Sequence, residues 1–332
     1  MERKLPFDVN RELKIKVEDT TDPAYGYIPN KRQIMEHINF GVINLDKPAG
    51  PTSHEVVSWV KRILDLPRSG HGGTLDPKVT GLLPIMLGDA TKSVGALMTA
   101  GKEYICLMKL HSTAKKTVIK QIAQEFTGPI YQRPPVKSAV KRELRIRNIY
   151  YLDILEISGT KVLMRVGCES GTYIRKLCHD IGEALGSGAH MQELRRTRSG
   201  PFREDDSMIT LFDLKDAMVM YQESGDESEL RRVILPMEAG LVHLPRIVIR
   251  DSAVDAICHG ASLAAPGVVK VDTGIKPGDI VLVMSLKGEA VALAGSLMDT
   301  SAVLETETGI VAETRRVMMP EGTYPKGWKA KT

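Results

Sequence analysis

Residues 71–92 read HGGTLDPKVTGLLPIMLGDATK, and no other stretch of the chain says as much about its fold. Two adjacent glycines, Gly72 and Gly73, an Asp-Pro step and a second glycine-flanked turn surround Asp76. Glycine opens backbone conformations closed to other residues and lets a ligand approach the main chain. Pro77 biases Asp76 towards extended backbone. The run therefore predicts a stiff loop with one carboxylate at its rim. An isolated Asp-Pro pair would read as an ordinary turn, but the length and patterning of this run argue for a built site.

Around that loop, 332 residues with 42% hydrophobic and 26% charged side chains predict a soluble chain of two domains. Residues 1–10, MERKLPFDVN, are charged from the outset and hold no apolar stretch of signal-peptide length. The most apolar run, IVLVM at 280–284, is far too short to cross a bilayer. No membrane role is expected. The cysteines Cys106, Cys168, Cys178 and Cys258 form no CxxC pair, which reads as buried free thiols in a reducing, cytoplasmic compartment rather than a metal site. A net charge of +4 permits a polyanionic partner without demanding one.

Residues 1–35 read as an irregular arm with a turn-rich DPAYGYIPN segment. Thr52 and Glu55 form a capping box opening a helix that ends before Pro67. In 102–110, Tyr104, Cys106, Met108 and Leu110 share one face of a strand. Residues 161–168 make another strand, followed by a Ser-Gly-Thr turn. The helix after it has Ile174, Leu177, Cys178, Ile181 and Leu185 on its apolar side and Gly186 at its end. Irregular alternation without a repeated βαβ unit predicts an α+β class, a mixed or antiparallel sheet with flanking helices. Residues 218–229 read as a surface connection within the large domain. After a boundary near Val242, KPGD and KG turns punctuate IVLVMSL and EAVALAGSL, the spacing of hairpins in a small β-barrel. The expected units are residues 36–241, 242–320 and a tail at 321–332.

Three separated motifs carry candidate chemistry. Asp76 is the first. The second is Lys102-Glu103-Tyr104, where strand alternation turns Glu103 away from Tyr104. The third is CESGTYIRKLCHD at 168–180, with Arg175 near a helix start, where a cation opposes the helix dipole. Arg175 is better explained as the partner of an acidic group elsewhere, in a plain salt bridge or in a site. An aspartate beside an arginine stays ionised and suits nucleophilic attack or stabilisation of a cationic sugar. Tyr104 would move protons or stack on a planar ring. No second carboxylate pairs with Asp76, against a two-carboxylate glycosidase. GDATKS at 88–93 lacks the glycine a phosphate loop needs at Thr91, and 168–171 is not GxSxG. Basic residues gather in YQRPPVKSAVKRELRIRNIY (Arg133, Lys137, Lys141, Arg142, Arg145, Arg147) and in LRRTRSGPFR (Arg195, Arg196, Arg198, Arg203). Two such clusters fit phosphate contact better than one.

In order, GVINLDKPAGPTS, GHGGTLDPKVTGLLPIMLGDATK, KEY, RPPVKSAVKR and CESGTYIRKLCHDIG resemble the TruB family of RNA pseudouridine synthases. Within it, the chain resembles the archaeal dyskerin-like branch, the catalytic subunits of H/ACA ribonucleoproteins. The resemblance implies Asp76 as catalytic aspartate, Tyr104 as the active-site tyrosine and Arg175 as the aspartate's partner. It implies that His71 helps hold the target nucleotide out of its stack, with Lys47, Gly72, Gly73, Thr74 and Leu75 supporting substrate binding. Residues 137–150 would be a thumb loop over RNA, and the C-terminal module a PUA domain binding guide RNA. An isomerisation needs no redox cofactor, nucleotide or metal. The implied partners are an H/ACA guide RNA, substrate rRNA and tRNA, and small zinc-ribbon-like, glycine-arginine-rich-type and kink-turn-binding subunits. Guide-independent modification of tRNA and an RNA-binding scaffold are the competing readings.

Overall fold

In the computed structural model, residues 4–134, 141 and 143–326 are described. The larger sheet runs Met208–Ile209, Gly41–Lys47, Thr80–Leu87, Ala189–Ser199, Lys102–Leu110, Lys161–Cys168, Arg145–Ser158, Gly128–Gln132. Neighbours are antiparallel except where Met208–Ile209 meets Gly41–Lys47 and Thr80–Leu87 meets Ala189–Ser199. It is the mixed sheet of an α+β chain. GVINLDK and TGLLPIML are buried almost throughout, as strands covered on both faces read. In Lys102–Leu110, Cys106, Met108 and Leu110 are buried against Leu177, Cys178 and Ile181 of helix Ile174–Ala184. Gly186, at φ 68°, follows that helix in the left-handed conformation glycine favours.

The second sheet runs Leu13–Ile15, Val268–Asp272, Arg246–Ile249, Ile280–Met284, Ala290–Ser296, Ile310–Val317, Leu263–Ala264. It curls about a core of Ile247, Val271, Val283, Val291 and Val311, covered by Val254 and Ile257 of one short helix and Val303 of another. A shared apolar cluster joins the two sheets: Phe40, Val42, Met86, Leu97 and Phe202 pack with Leu282, Ala290, Leu293 and Met318. Buried Arg32 donates to both oxygens of Glu238 at 3.0 and 2.7 Å, and Glu238 Oε1 also accepts the Ala290 N–H at 3.0 Å.

Two sequence expectations need correction. The arm is not irregular throughout, since Leu13–Ile15 adds an edge strand to the second sheet by pairing with Val268–Asp272. Lys16 Nζ donates to the carbonyls of Val303 (2.8 Å) and Thr306 beyond it, binding the arm to the end of helix Thr300–Glu305. Residues 218–229 are not a connection either. Helix Leu211–Ser224 runs through them to Gly225, and helix Ser228–Val233 follows. The longer helix buries only Leu214 and Ala217, too little for its periodicity to be visible. Its start was signalled by Thr210 and Asp213, which form a capping box.

Candidate active site

The Asp76 loop is fixed from below by buried polar side chains. Thr52 and Glu55 cap helix Ser53–Ile63 reciprocally: Thr52 N–H donates to Glu55 Oε2 at 2.7 Å and Glu55 N–H to Thr52 Oγ1 at 3.2 Å. That cap fixes Ser53, whose fully buried hydroxyl accepts the Leu75 N–H at 2.8 Å and donates to the Leu75 carbonyl at 3.0 Å. Leu75 is itself buried in the core. On the other flank, buried Lys47 donates to the carbonyls of Pro48, Pro77 and Val79 at 2.8, 3.0 and 2.9 Å. A turn closed by the Val79 N–H to the Asp76 carbonyl (3.0 Å) completes the loop. Asp76 stands between two anchored residues, with its carboxylate outside.

There the carboxylate meets the guanidinium of Arg175, 99 positions away in sequence. Both side chains are open to solvent, 55% and 60% exposed. An exposed pair contributes only about 0–1 kcal/mol. The contact therefore orients a carboxylate more than it stabilises the fold.

Tyr104 is the register partner of Arg196 on the adjacent strand. Burial raises the Tyr104 pKa, and the charge of Arg196 beside it opposes the rise, so the side chain is a neutral phenol at physiological pH. Arg196 is buried and donates to the Leu82 carbonyl at 2.7 Å and the Gly73 carbonyl at 2.9 Å. One guanidinium thus holds the glycine loop from beside the tyrosine. Gly73 has φ 136°, in the left-handed region that favours glycine. Gly81, at φ 98°, is fixed by close approach: a Cβ there would lie 2.3 Å from the Arg196 carbonyl oxygen.

His71 Nδ1 accepts the Gly73 N–H at 3.3 Å, which leaves the ring proton on Nε2. Burial, with help from His54 and Arg196, lowers its pKa, and His54 packs edge-on at 5.2 Å between ring centroids. Lys102, on the same side of its strand as Tyr104, is buried with its ammonium on the carbonyls of Leu97, Met98 and Ala100 at 2.8, 3.0 and 2.6 Å. Burial, with Arg196 next, pushes its pKa down to about 7.

Arg175 bonds Asp76, and the Asp76 charge reaches Tyr104, so these three come together. The second basic cluster does not converge on one face. Arg196 is inside the protein, Arg198 is buried against Asp8 at 3.0 and 2.6 Å, and Arg195 bonds Asp46 and Glu204. Arg203 also reaches Asp8, at 3.4 Å. Arg196 and Arg198 are thus spent on intramolecular partners, whereas Arg195 and Arg203 keep part of their side chains open to solvent. Lys47 and Leu75 are likewise buried and position the loop instead of facing a ligand. In the first cluster Arg133 is exposed, Lys141 pairs with Glu143, and Arg147 bonds Glu169 at 3.2 Å, with Arg145 half-buried. Lys137 and Arg142 lie outside the described residues. Sequence reading missed Ser53, whose only signal is its place after Thr52, and the structural role of Arg196, set by strand register.

Residues 61–174 match the TruB family pseudouridylate synthase N-terminal domain, and 175–242 the tRNA pseudouridylate synthase B C-terminal domain. Residues 245–318 match the PUA domain, and 2–57 the DKCLD (NUC011) domain. The probable tRNA pseudouridine synthase B of Methanosarcina barkeri is 59% identical over 99% of this chain and 97% of its own. The protein of the same name from Methanopyrus kandleri is 60% identical over 100% and 98%. Among solved structures, a chain of an H/ACA RNP bound to a substrate RNA containing 2'-deoxyuridine is similar with TM-score 0.92 and 54% identity, covering 98% of this chain and 100% of that one. A chain of a Cbf5-Nop10-Gar1 complex is similar with TM-score 0.93 and 56% identity, covering 98% and 99%. The α+β core with its C-terminal PUA domain, and the loop that carries Asp76 to Arg175, belong to a pseudouridine synthase of the TruB family.

Proposed function

We propose that this pseudouridine synthase works as the guide-directed catalytic subunit of an H/ACA ribonucleoprotein, with Asp76 at its chemical centre. The observation that carries the reading is the Asp76 carboxylate at an exposed rim, bonded to Arg175 and anchored by Lys47 and Ser53. Converting uridine to pseudouridine breaks the bond from ring nitrogen to sugar carbon and rejoins the base through ring carbon. One proton leaves that carbon and one is taken up at nitrogen. Asp76 attacks the target nucleotide or stabilises its sugar cation. Arg175 orients the carboxylate. Tyr104, a neutral phenol with a donor and acceptor sites, passes on the proton. His71, with Nε2–H free of the Gly73 bond, helps hold the target base out of its stack.

Extruding a base costs a few kcal/mol. A guide RNA that pairs on both sides of an unpaired uridine meets that cost outside the protein. An open rim suits such a substrate. The likeness to chains from an RNP bound to substrate RNA and from a complex with Nop10 and Gar1 supports the assembly. The same reading takes rRNA as main substrate and sets the PUA domain on the guide. Companions of the zinc-ribbon-like, glycine-arginine-rich and kink-turn-binding types belong to the same reading. Four buried free thiols suit a cytoplasmic setting, and among the described residues no helix is long and apolar enough to cross a membrane.

The test is pseudouridine formation in a guide-matched RNA, wild type against Asp76→Asn, with and without guide and companions. Guide-dependent product lost in the variant is expected. No wild-type product in the full assembly despite tight guide binding would favour a scaffold. The names of the relatives, tRNA pseudouridine synthase B, favour a second activity on tRNA. Product in bare tRNA transcript with pure protein is its signature.

A further inference from the structure

Gln132 ends the edge strand Gly128–Gln132 of the larger sheet, yet it is 1% exposed. Its side-chain amide makes a reciprocal pair with one backbone unit: Nε2 donates to the Tyr173 carbonyl at 3.1 Å, and Oε1 accepts the Tyr173 N–H at 2.9 Å. Tyr173 is the residue from which helix Ile174–Ala184 starts, and Arg175 is the second residue of that helix. The neighbouring strand grips the same loop. Glu169 accepts the Asn148 N–H at 3.0 Å, Asn148 Nδ2 at 3.2 Å and Arg147 at 3.2 Å. Both strands of one hairpin thus hold the short segment that launches Arg175.

We infer that Gln132 is a positioning residue for the isomerisation, setting the start of the Arg175 helix and through it the orientation of the Asp76 carboxylate. The Arg175–Asp76 pair is solvent-exposed, so little else around the guanidinium fixes where it stands. Its placement comes from the helix start, and a buried amide bonded to both polar groups of the preceding residue permits one position only. A glutamine is suited because it alone among uncharged side chains of this reach offers a donor and an acceptor in one plane. The inference rests on the roles proposed above for Asp76 and Arg175.

The test uses the full chain in its guide RNA assembly, with single-turnover pseudouridine formation at saturating substrate RNA. Gln132→Met keeps the length and removes both bonds. Its rate is expected to fall by about 10-fold to 100-fold, the scale of a misplaced catalytic group, while RNA affinity stays within about twofold. Gln132→Glu adds a pH readout, taken only where the variant is still fully folded at each pH, because ionising a buried carboxyl also lowers stability as pH rises. Protonated, the introduced carboxyl makes both bonds. Ionised, it repels the Tyr173 carbonyl. Burial raises its pKa, so its rate should approach wild type near about pH 5 and fall towards that of Gln132→Met by about pH 8. Charged groups on the packed elements are Arg145 opposite it in register, the bonded Arg147 and Glu169, and Arg175. The wild type carries all of them, so a difference between the two profiles belongs to position 132.

A Gln132→Met rate equal to wild type, a rate loss matched by the same loss of RNA affinity, or parallel wild-type and Gln132→Glu profiles would each overturn the inference. Should Gln132→Met fail to fold, the Gln132→Glu profile still decides. An active Asp76→Asn control would instead strike the proposed roles of Asp76 and Arg175, so the two failures are distinguishable.

Discussion

Ser53→Ala removes a single oxygen and should disturb the catalytic loop more than any change of similar size on the surface. The hydroxyl serves two backbone groups of Leu75, accepting at 2.8 Å and donating at 3.0 Å. Ser53 is fully buried and Leu75 4% exposed, so water has no ready route to replace it. Leaving a buried donor or acceptor unmade costs about 1–3 kcal/mol each. Alanine returns about 0.5 kcal/mol as the better helix former at the start of helix Ser53–Ile63. The net expectation is a loss of about 1.5–5.5 kcal/mol in the larger unit. Denaturant unfolding followed by tryptophan emission reads it, because Trp59 lies on the same helix. Asp76 follows Leu75 directly, and a displacement of about 1 Å at a catalytic group costs roughly 100-fold in rate. Turnover should therefore fall in conditions where the variant is still folded. A loss below about 0.5 kcal/mol with an unchanged rate would refute the reasoning, because Lys47 and Arg196 alone would then suffice to hold the loop.

Tyr104→Phe should abolish most turnover with little change in stability. Glu103→Gln should do the reverse, losing about 1–2 kcal/mol, since Glu103 accepts from Tyr151 (2.6 Å) and Thr197 (2.7 Å); equal losses of rate would contradict it. In RNA binding, Arg133→Ala should lower the salt slope by about 1. Arg198→Ala should leave that slope unchanged while destabilising the arm that holds Asp8, and a shifted slope there would put Arg198 on RNA. Lys102 has its pKa lowered to about 7 from an ordinary 10.5. The unfolded state then binds more protons between those values, so wild-type stability relative to Lys102→Met should rise with pH across that window, by at most about 1.4 kcal/mol per unit. A flat difference would mean that its three carbonyls keep the ammonium charged throughout.

Where the sequence was readable, the physics was local. The capping box at Thr52 and Glu55, the alternation around Tyr104, and the apolar stripe of helix Ile174–Ala184 ending at Gly186 depend on residues a few positions apart. The unfavourable position of Arg175 against its helix dipole pointed to a distant acid, and Asp76 is that acid. What escaped depends on register. LRRTRSGPFR looks like a basic patch because nothing local says which arginine faces inward. Only the pairing of Lys102–Leu110 with Ala189–Ser199, bulged between Glu103 and Tyr104, sets Arg196 opposite Tyr104 and leaves Arg198 to Asp8. Gln132 escaped for the same reason: its partner lies 41 residues away on another element.

Three buried cations support the loop and its tyrosine, and all bond backbone carbonyls: Lys47 to Pro48, Pro77 and Val79, Lys102 to Leu97, Met98 and Ala100, Arg196 to Leu82 and Gly73. An irregular loop has carbonyls without strand partners, and an ammonium satisfies three at once without needing a register. The arrangement gathers positive charge beneath one carboxylate. Burial and Arg196 push the Lys47 pKa down, and Asp76 acts against them. Asp76→Asn therefore removes a reacting group and a counter-charge together, whereas Asp76→Glu keeps the charge and moves it by one methylene. If the carboxylate's place is what matters, both variants should be inactive, with Asp76→Glu the more stable. Activity retained by Asp76→Glu at more than about a hundredth of the wild-type rate would show that charge near the rim suffices and that the anchoring of the loop serves another end.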